Sequence, residues 1–170
     1  MTEMNMRNMT NLLPRLLSCL LAATLSISMS VAWAQSDDPV ENPRVLMKTT
    51  DGDITIELFA DKSPITVENF LRYVDDGHYD GTVFHRVISN FMIQGGGFDT
   101  ELKEKPTRDP IVNESKNKLH NTRGTLAMAR TSDPGSAAAQ FFINQRSNLR
   151  LDWSGGKDGY AVFGEVVDGM

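Results

Sequence analysis

Alternating apolar and polar residues along this chain predict a protein built mostly from short β-strands. Two such segments, 45–50 and 54–59, flank Asp51-Gly52. This dipeptide is typical of a tight hairpin, because glycine adopts the positive φ that the turn needs. Further strand-like segments bounded by turn residues lie at 83–88, 91–94, 126–129, 141–144 and 160–167.

One segment has the periodicity of a helix instead. Ser63-Pro64 is typical of a helix start, because proline is tolerated in the first turn. Apolar residues then recur at the three- and four-residue spacing of one helix face, at Val67, Phe70, Leu71 and Val74. Gly77 supplies a stop signal. Residues 99–123 are polar and contain two prolines, so we predict a surface loop there with a short strand at most.

The segment 84–97 sets one arginine and one glutamine among apolar strand residues and ends in three glycines. A reversal centred on Asn90 would place Arg86 directly opposite Gln94, because each lies four residues from it. Cross-strand partners lie within side-chain reach. An arginine in an apolar concavity is costly without partners. Arg86 is therefore either a structural charge or a group that contacts a ligand.

Length and charge limit the functions to consider. The chain has 170 residues, enough for one domain with a hydrophobic core. Its formal net charge is −5, which argues against a nucleic-acid-binding surface, because such surfaces are basic. The single cysteine, Cys19, lies in the N-terminal segment. Three scattered histidines lack the spacing of zinc ligands, so no metal site is expected.

Residues 1–34 have the features of a secretory signal peptide. A polar start with two arginines precedes the mostly apolar run 16–31. Ala32-Trp33-Ala34 places small residues at the positions that a signal peptidase recognises, so cleavage is expected after Ala34. An uncleaved membrane anchor is the alternative, but four serines interrupt an apolar run that is already short for a span. The polar segment 35–43 would form a flexible leader.

Four long segments resemble the cyclophilins, a family of peptidyl-prolyl cis–trans isomerases, and occur in the family's order. They lie at 84–97, 124–130, 140–144 and 159–170. The resemblance covers residues 44–170 and implies an all-β (mainly β) fold, a closed eight-stranded antiparallel barrel with a helix over each end. The family continues past Met170 into a second helix and a closing strand. We therefore expect those two elements to be missing from this sequence and the domain 44–170 to be incomplete at its C-terminal end, as in a fragment. The alternative is a protein that lacks the elements that close the barrel.

The resemblance also implies the site. Arg86 would donate a hydrogen bond to the prolyl nitrogen, and Gln94 would orient Arg86 and contact the substrate backbone. Phe91 completes the catalytic set. The remaining residues implied are those that wall the proline pocket or line the groove for the residues before proline: Met92, Phe142, Leu151 and Tyr160, and Ala129, Arg130 and Gln140. For the apolar residues, ordinary core packing is the alternative explanation.

The activity implied is peptidyl-prolyl cis–trans isomerisation. Rotation about the amide faces a barrier of roughly 18–20 kcal/mol. A donor to the prolyl nitrogen binds the twisted state better than the planar one, which is the condition for catalysis. No bond is made or broken, so no nucleophile, metal or cofactor is needed. The alternative function is a chaperone-like binding module for proline-containing segments, which would not need the donor Arg86.

Two positions differ from the better-known eukaryotic pattern and resemble the bacterial secreted branch. Arg150 replaces the tryptophan that usually precedes the pocket leucine, and Tyr160 replaces a histidine near the pocket. We therefore predict a periplasmic, monomeric enzyme that acts on proline-containing peptides and unfolded exported proteins, without membrane attachment after signal cleavage. Weak cyclosporin binding is also expected, because the tryptophan contributes to the drug site.

Overall fold

The computed structural model describes residues 3–8 and 42–170. Residues 35–41 of the predicted leader and most of the predicted signal peptide lie outside these residues. The described strands are β1 (Glu3–Asn8), β2 (Arg44–Thr49), β3 (Gly52–Leu58), β4 (Thr82–Val83), β5 (Arg86–Ile88), β6 (Met92–Gly95), β7 (Thr125–Met128), β8 (Phe141–Asn144) and β9 (Val162–Asp168). The described helices are α1 (Pro64–Asp75) and the short 3-10 helix η1 (Leu149–Leu151).

All nine described strands join one antiparallel sheet, in the order β4-β1-β2-β3-β9-β7-β8-β6-β5. The two end strands, β4 and β5, are consecutive in the chain and are separated only by Phe84 and His85. The sheet therefore curls round until its two ends meet at neighbouring residues. The predicted mainly β, antiparallel fold is confirmed. It differs from the expected closed barrel in that no hydrogen-bonded ladder joins β4 to β5 within the described residues.

The predicted hairpin at Asp51-Gly52 is confirmed as the β2–β3 connection. Thr49 pairs with Gly52, so the two turn residues are Thr50 and Asp51. Gly52 has a φ of +138°, in the region that favours glycine. The predicted helix is also confirmed, with Pro64 in its first turn and Asp76 as its C-terminal cap.

The predicted strand 83–88 is wrong in one respect, because the structure divides it into β4 and β5. Phe84 turns inward and is buried at 8% exposure. β4 pairs with β1, whereas β5 pairs with β6. The chain thus changes partner at Phe84, and hydrophobic burial of that ring interrupts the strand. Residues 99–123 form a surface loop with isolated bridges only, as predicted.

The main core lies between α1 and the inner face of the sheet. Phe70 of α1 packs against the rings of Tyr79, Phe141 and Phe163, with centroid distances of 5.1, 5.6 and 5.2 Å. Aromatic contacts at these distances add to the stabilisation from area burial. The Ser63 hydroxyl, just before α1, donates to the carbonyl of Val162 at 2.7 Å. The helix is therefore fastened to the sheet by both packing and a buried hydrogen bond.

A second apolar cluster lies on the opposite face of the same strands. Its buried members are Met92, Ala127, Ala129, Phe142 and Val162. In β8, Phe141 and Ile143 point into the main core while Phe142 points into the second cluster. Successive side chains of a strand face opposite sides of the sheet. This alternation carries an apolar surface to the outside of the barrel, where a ligand can reach it.

No helix within the described ranges has the length and apolar character required to cross a membrane.

His78 is expected to make the stability of the fold depend on pH. Its Nε2 lies 3.2 Å from the carbonyl oxygen of Gly96, and its ring packs on Tyr73 at 4.6 Å. Burial lowers the pKa of His78 below the ordinary value of 6.5, although the Gly96 carbonyl opposes this shift. The unfolded chain then binds a proton at a pH where the folded chain does not. The contribution of neutral His78 to the free energy of unfolding is therefore fully present above pH 6.5, and it decreases as the pH falls below that value.

We expect the melting temperature of the wild type to decrease as the pH is lowered from about 7 to about 5. His78→Gln should make this decrease smaller. Burial also lowers the pKa of His85, so a residual pH dependence should persist and should shrink further in the His78→Gln, His85→Gln double variant. Melting curves followed by circular dichroism measure both effects. An unchanged slope in the double variant would show that other groups control the acid response.

Candidate active site

The hairpin formed by β5 and β6 brings the predicted arginine and glutamine together. Its ladder pairs Arg86 with Gln94, as the sequence predicts, and Ile88 with Met92. Asn90 has a φ of +57°, the left-handed conformation that asparagine adopts more readily than most residues. The amide of Phe91 donates to the carbonyl of Ile88 at 3.1 Å. The turn therefore fixes the register that places both polar side chains on one face.

A chain of side-chain hydrogen bonds orients Arg86. Its Nη1 donates to Oε1 of Gln94 at 3.2 Å. The amide nitrogen of Gln94 donates in turn to Oε1 of Gln140 at 2.9 Å. A guanidinium has five N–H donors in a planar fork. Because the Arg86 side chain is exposed and uses one donor here, its remaining donors can bind a ligand.

A cavity of about 150 Å³ lies directly beside Arg86. Nine of the ten predicted site residues line it: Arg86, Phe91, Met92, Gln94, Ala129, Arg130, Phe142, Leu151 and Tyr160. Met92 and Phe142 are almost fully buried, at 2% and 4% exposure. Sites for drug-sized ligands measure roughly 300–1,000 Å³. This cavity is therefore suited to a single small apolar group, with a cationic donor at its rim.

Gln140, the tenth predicted residue, lies in a neighbouring groove of about 360 Å³. The groove shares Gln94, Ala129 and Arg130 with the smaller cavity. The amide of Ala129 donates to the carbonyl of Gln140 at 2.9 Å. The next residue, Arg130, makes no backbone hydrogen bond within the described part of the chain. Its N–H and C=O groups can therefore pair with an extended peptide in this groove.

The side chain of Arg130 has a different task. Its Cζ lies 4.5 Å from the ring centre of Tyr160, a cation–π contact. The guanidinium donates to the backbone carbonyls of Thr131 at 2.9 Å, Asp158 at 2.8 Å and Gly159 at 3.3 Å. The Tyr160 ring meets Phe142 edge-on at 5.6 Å. Arg130 thus holds one wall of the cavity in place and is not a free charge.

A partly buried polar network supports the segment that carries Leu151 and Tyr160, and the sequence analysis missed it. Asp152 accepts hydrogen bonds from the backbone and the side-chain amide of Asn121, at 2.7 and 2.9 Å. Its other oxygen lies 2.8 Å from Nδ1 of His120. Burial raises the pKa of Asp152, but these hydrogen bonds outweigh it and the pKa lies below its ordinary value. The partners are 31 residues apart, so no local pattern reveals them.

Gly97, the last of the three glycines, packs directly against Gln140. A Cβ at this position would lie 2.5 Å from Cγ of Gln140 and 2.7 Å from its Nε2. Real Cβ atoms do not approach other atoms so closely. The glycine is therefore required for the position of Gln140, and through it for the hydrogen bond that orients Gln94.

Together these features define a class of site. A small apolar cavity holds one compact group, an adjoining groove offers unpaired backbone to an extended peptide, and a guanidinium stands at the boundary. Within the described residues, no three His, Cys, Asp or Glu side chains cluster so that they could hold a metal ion. Such a site fits an extended peptide that inserts one small side chain into the cavity.

Comparison with known proteins identifies the family. The family described as "Cyclophilin type peptidyl-prolyl cis-trans isomerase/CLD" matches residues 44–170. The chain belongs to this family of prolyl isomerases. A peptidyl-prolyl cis-trans isomerase of Acinetobacter baylyi is 60% identical over 129 residues, which cover 76% of this chain and 69% of that protein. Peptidyl-prolyl cis-trans isomerase B of Escherichia coli is 58% identical over 129 residues, covering 74% and 79% of the two chains.

Solved structures agree with the fold. A cyclophilin of Hirschia baltica superposes with a TM-score of 0.64 at 25% identity, over 74% of this chain and 64% of that chain. A cyclophilin-type isomerase of Cryptosporidium parvum, crystallised in the presence of the dipeptide Ala-Pro, has a TM-score of 0.59 at 30% identity. That match covers 71% of this chain and 76% of the other.

Gly97→Ala is expected to weaken the site through Gln140 while the barrel still forms. The new methyl group must displace Gln140, which breaks its bond to Gln94 and leaves Arg86 less well oriented. A misplacement of about 1 Å can lower a rate by up to about 100-fold, so we expect kcat/KM for a short X-Pro peptide to fall roughly ten- to 100-fold. The isomerisation assay and a melting curve measure activity and fold together.

Gly135→Ala is the matched control for Gly97→Ala. A Cβ on Gly135 would meet nothing closer than 3.6 Å, an ordinary contact, and Gly135 lines neither of the two cavities. We expect this variant to keep the wild-type rate. Equal rates in the two variants would mean that the position of Gln140 does not matter for turnover.

Proposed function

We propose that this prolyl isomerase acts in the periplasm on proline-containing segments of unfolded exported proteins, with Arg86 as its catalytic donor. One observation carries the catalytic part of this proposal. The guanidinium of Arg86 lies at the rim of an apolar cavity and is oriented by Gln94, which Gln140 holds in turn. The isomerase of Cryptosporidium parvum crystallised in the presence of Ala-Pro supports proline as the group that enters the cavity.

The chemistry follows from the electronic structure of the amide. In the planar X–Pro bond the nitrogen lone pair is delocalised, which gives the bond partial double-bond character. As the bond twists, the lone pair localises on the prolyl nitrogen and becomes a hydrogen-bond acceptor. A donor already aimed at this nitrogen binds the twisted state more strongly than either planar state. A preorganised donor of this kind contributes about 3 kcal/mol, a factor of roughly 100 in rate.

The other site residues would hold the two sides of the rotating bond. Phe91, Met92 and Phe142 would enclose the pyrrolidine ring and exclude water. The unpaired backbone of Arg130, with Gln140 beside it, would bind the residues before proline. With the ring and the preceding segment both held, rotation is confined to the bond between them. The enzyme then lowers the barrier without any covalent step.

A chaperone-like binding module is the second candidate function. The apolar cavity and the groove would serve such a module equally well. It would not need a guanidinium held at the rim by two successive glutamines. The oriented Arg86 therefore favours catalysis, and the two candidates make different predictions for its removal. The monomeric state and weak cyclosporin binding remain predictions from the sequence.

Arg86→Ala is expected to lower kcat/KM for a short X-Pro peptide by about 100-fold, because it removes the donor to the prolyl nitrogen. Arg86 is exposed, so the fold should persist, which a melting curve checks. Arg86→Lys keeps the charge but loses the planar fork, so its kcat/KM should lie between those of the wild type and Arg86→Ala. The affinity of both variants for the peptide should stay close to that of the wild type. Activity of Arg86→Ala within a factor of two of the wild type would rule out the assigned role.

The proposed location makes a second prediction, which concerns the N-terminus. The apolar run that ends in Ala32-Trp33-Ala34 predicts export and cleavage, so the protein in the periplasmic fraction should begin at Gln35. Cleavage would also remove β1, whose Met6 is buried at 3% exposure opposite Met47. The strands beside it, β2 and β4, would then expose unpaired edges unless another segment covers them.

Intact-mass measurement of the protein from a bacterial periplasmic extract tests this prediction. A mass that corresponds to residues from Gln35 onward supports export with cleavage. A product that retains 16–31 and partitions with membranes supports the anchor instead. A full-length product in the cytoplasmic fraction would contradict export and would be consistent with a chain that keeps β1 in its sheet.

A further inference from the structure

We call the cavity of about 150 Å³ beside Arg86 the proline-sized cavity. A third cleft, rich in arginine, lies next to it and takes no part in the site described so far. Its volume is about 290 Å³, and it is lined by Asn90, Arg146, Ser147, Asn148, Leu149 and Arg150. The Cζ of Arg150 lies 5.0 Å from the ring centre of Phe91. Because Phe91 also walls the proline-sized cavity, the two sites are adjacent. We call this site the arginine cleft.

The strand register places the arginine cleft at the opposite end of β6 from the groove that contains Gln140. At one end of the β6–β8 ladder, Gly95 pairs with Phe141, the residue after Gln140. At the other end, Met92 pairs with Asn144, and the amide of Gln145 donates to the carbonyl of Phe91 at 3.0 Å. The arginine cleft begins just beyond that point. The groove and the cleft therefore lie on either side of the proline-sized cavity.

The two arginines of this cleft have no hydrogen-bond or ion-pair partner in the part of the chain that the structure describes, although Arg150 lies over the Phe91 ring. Arg146 and Arg150 are exposed, and neither guanidinium donates a hydrogen bond or forms an ion pair there. Arg130, by contrast, donates to three backbone carbonyls. Asp152, the carboxylate nearest in sequence to Arg150, is occupied by Asn121 and His120. In a chain of net charge −5, this local positive charge is not a consequence of composition.

We propose that the arginine cleft binds a carboxylate of the substrate on the C-terminal side of proline, so that the enzyme favours Asp or Glu just after X-Pro. This inference rests on the proposed function, which assigns the residues before proline to the groove at the other end of β6. The chain after proline must then run toward Phe91 and Arg150. The cleft adjoins the cavity where Arg150 lies over Phe91, and an extended chain advances about 3.3–3.6 Å per residue, so the first two residues after proline would reach the cleft.

The composition of the cleft favours a peptide carboxylate over a free anion. Arginine presents a planar pair of donors that matches a carboxylate. Leu149, 58% exposed, provides an apolar edge beside the two guanidinium groups, which a peptide side chain can cover. An exposed pair of this kind changes affinity by roughly 1.4- to five-fold. Because two arginines line the cleft, we expect an effect in the upper part of this range.

The test uses peptides that differ only in the residue after proline, Ala-Ala-Pro-Xaa-Ala with Xaa as Glu, Gln or Lys. NMR exchange spectroscopy measures their isomerisation directly and needs no coupling protease, which would impose its own preference. We expect the wild type to turn over the Glu peptide about three- to five-fold faster than the Gln peptide at low salt, and the Lys peptide more slowly than the Gln peptide. The Glu preference should decrease at high salt, because exposed charges are screened.

Arginine variants test the origin of that preference. Arg146→Gln and Arg150→Gln should each reduce the Glu-to-Gln ratio, and the double variant should bring it to about one. Arg72→Gln is the matched control, because it removes one exposed arginine on α1, away from the cleft, and should leave the ratio unchanged. When Glu or Gln is placed before proline instead, the wild type should turn over the two peptides at equal rates. A preference that survives the double variant, or is equal for Glu before proline, overturns the proposal.

Failure of this inference is distinguishable from failure of the proposed function. If the wild type isomerises the Gln peptide but gives a Glu-to-Gln ratio of one, the arginine cleft has no role in selection and the isomerase function stands. If the wild type isomerises none of the peptides, the proposed function and this inference both fail.

Discussion

The pairing of β6 with strands on both of its sides is the constraint on which the rest of the site depends. β6 lies between β5 and β8, so the ladders fix Gln94 opposite Arg86 on one side and opposite Phe142 on the other. Cross-strand neighbours have Cβ atoms about 4.5–5.5 Å apart. A backbone hydrogen-bond network thus sets side-chain positions that a loop could not hold as tightly. A shift of one residue would turn Gln94 to the opposite face and separate it from Arg86.

The same strands serve both the core and the site, because their side chains alternate. The inner face packs against α1 through Phe70, and the outer face carries the second apolar cluster. Exposing an apolar surface has a cost in solubility and stability, and proteins retain such surfaces mainly where they bind something. Here the cost is limited because the cavity is small and polar groups surround it. The core face supplies the rigidity, and the outer face supplies the recognition.

Arginine has three different roles around one cavity, and the surroundings of each side chain determine which. The guanidinium of Arg130 donates to three backbone carbonyls and holds the cavity wall formed by Tyr160 in place. Arg86 keeps free donors at the rim while Gln94 orients it. Arg150 lies over Phe91 without a carboxylate partner in the described ranges. Residue type alone predicts a positive charge in each case. Only the hydrogen-bond partners distinguish a structural arginine from one that can bind a ligand.

The sequence by itself determined the local features of this protein: the hairpin at Gly52, the helix that begins at Pro64, and the register that sets Arg86 opposite Gln94. Turn chemistry, helix periodicity and hairpin spacing act over a few residues, so they can be read from the chain. The tertiary structure alone decided the break at Phe84, the contact of Gly97 with Gln140, and the network between Asn121 and Asp152. These contacts join residues brought together only when the sheet curls, and burial, not local preference, determines them.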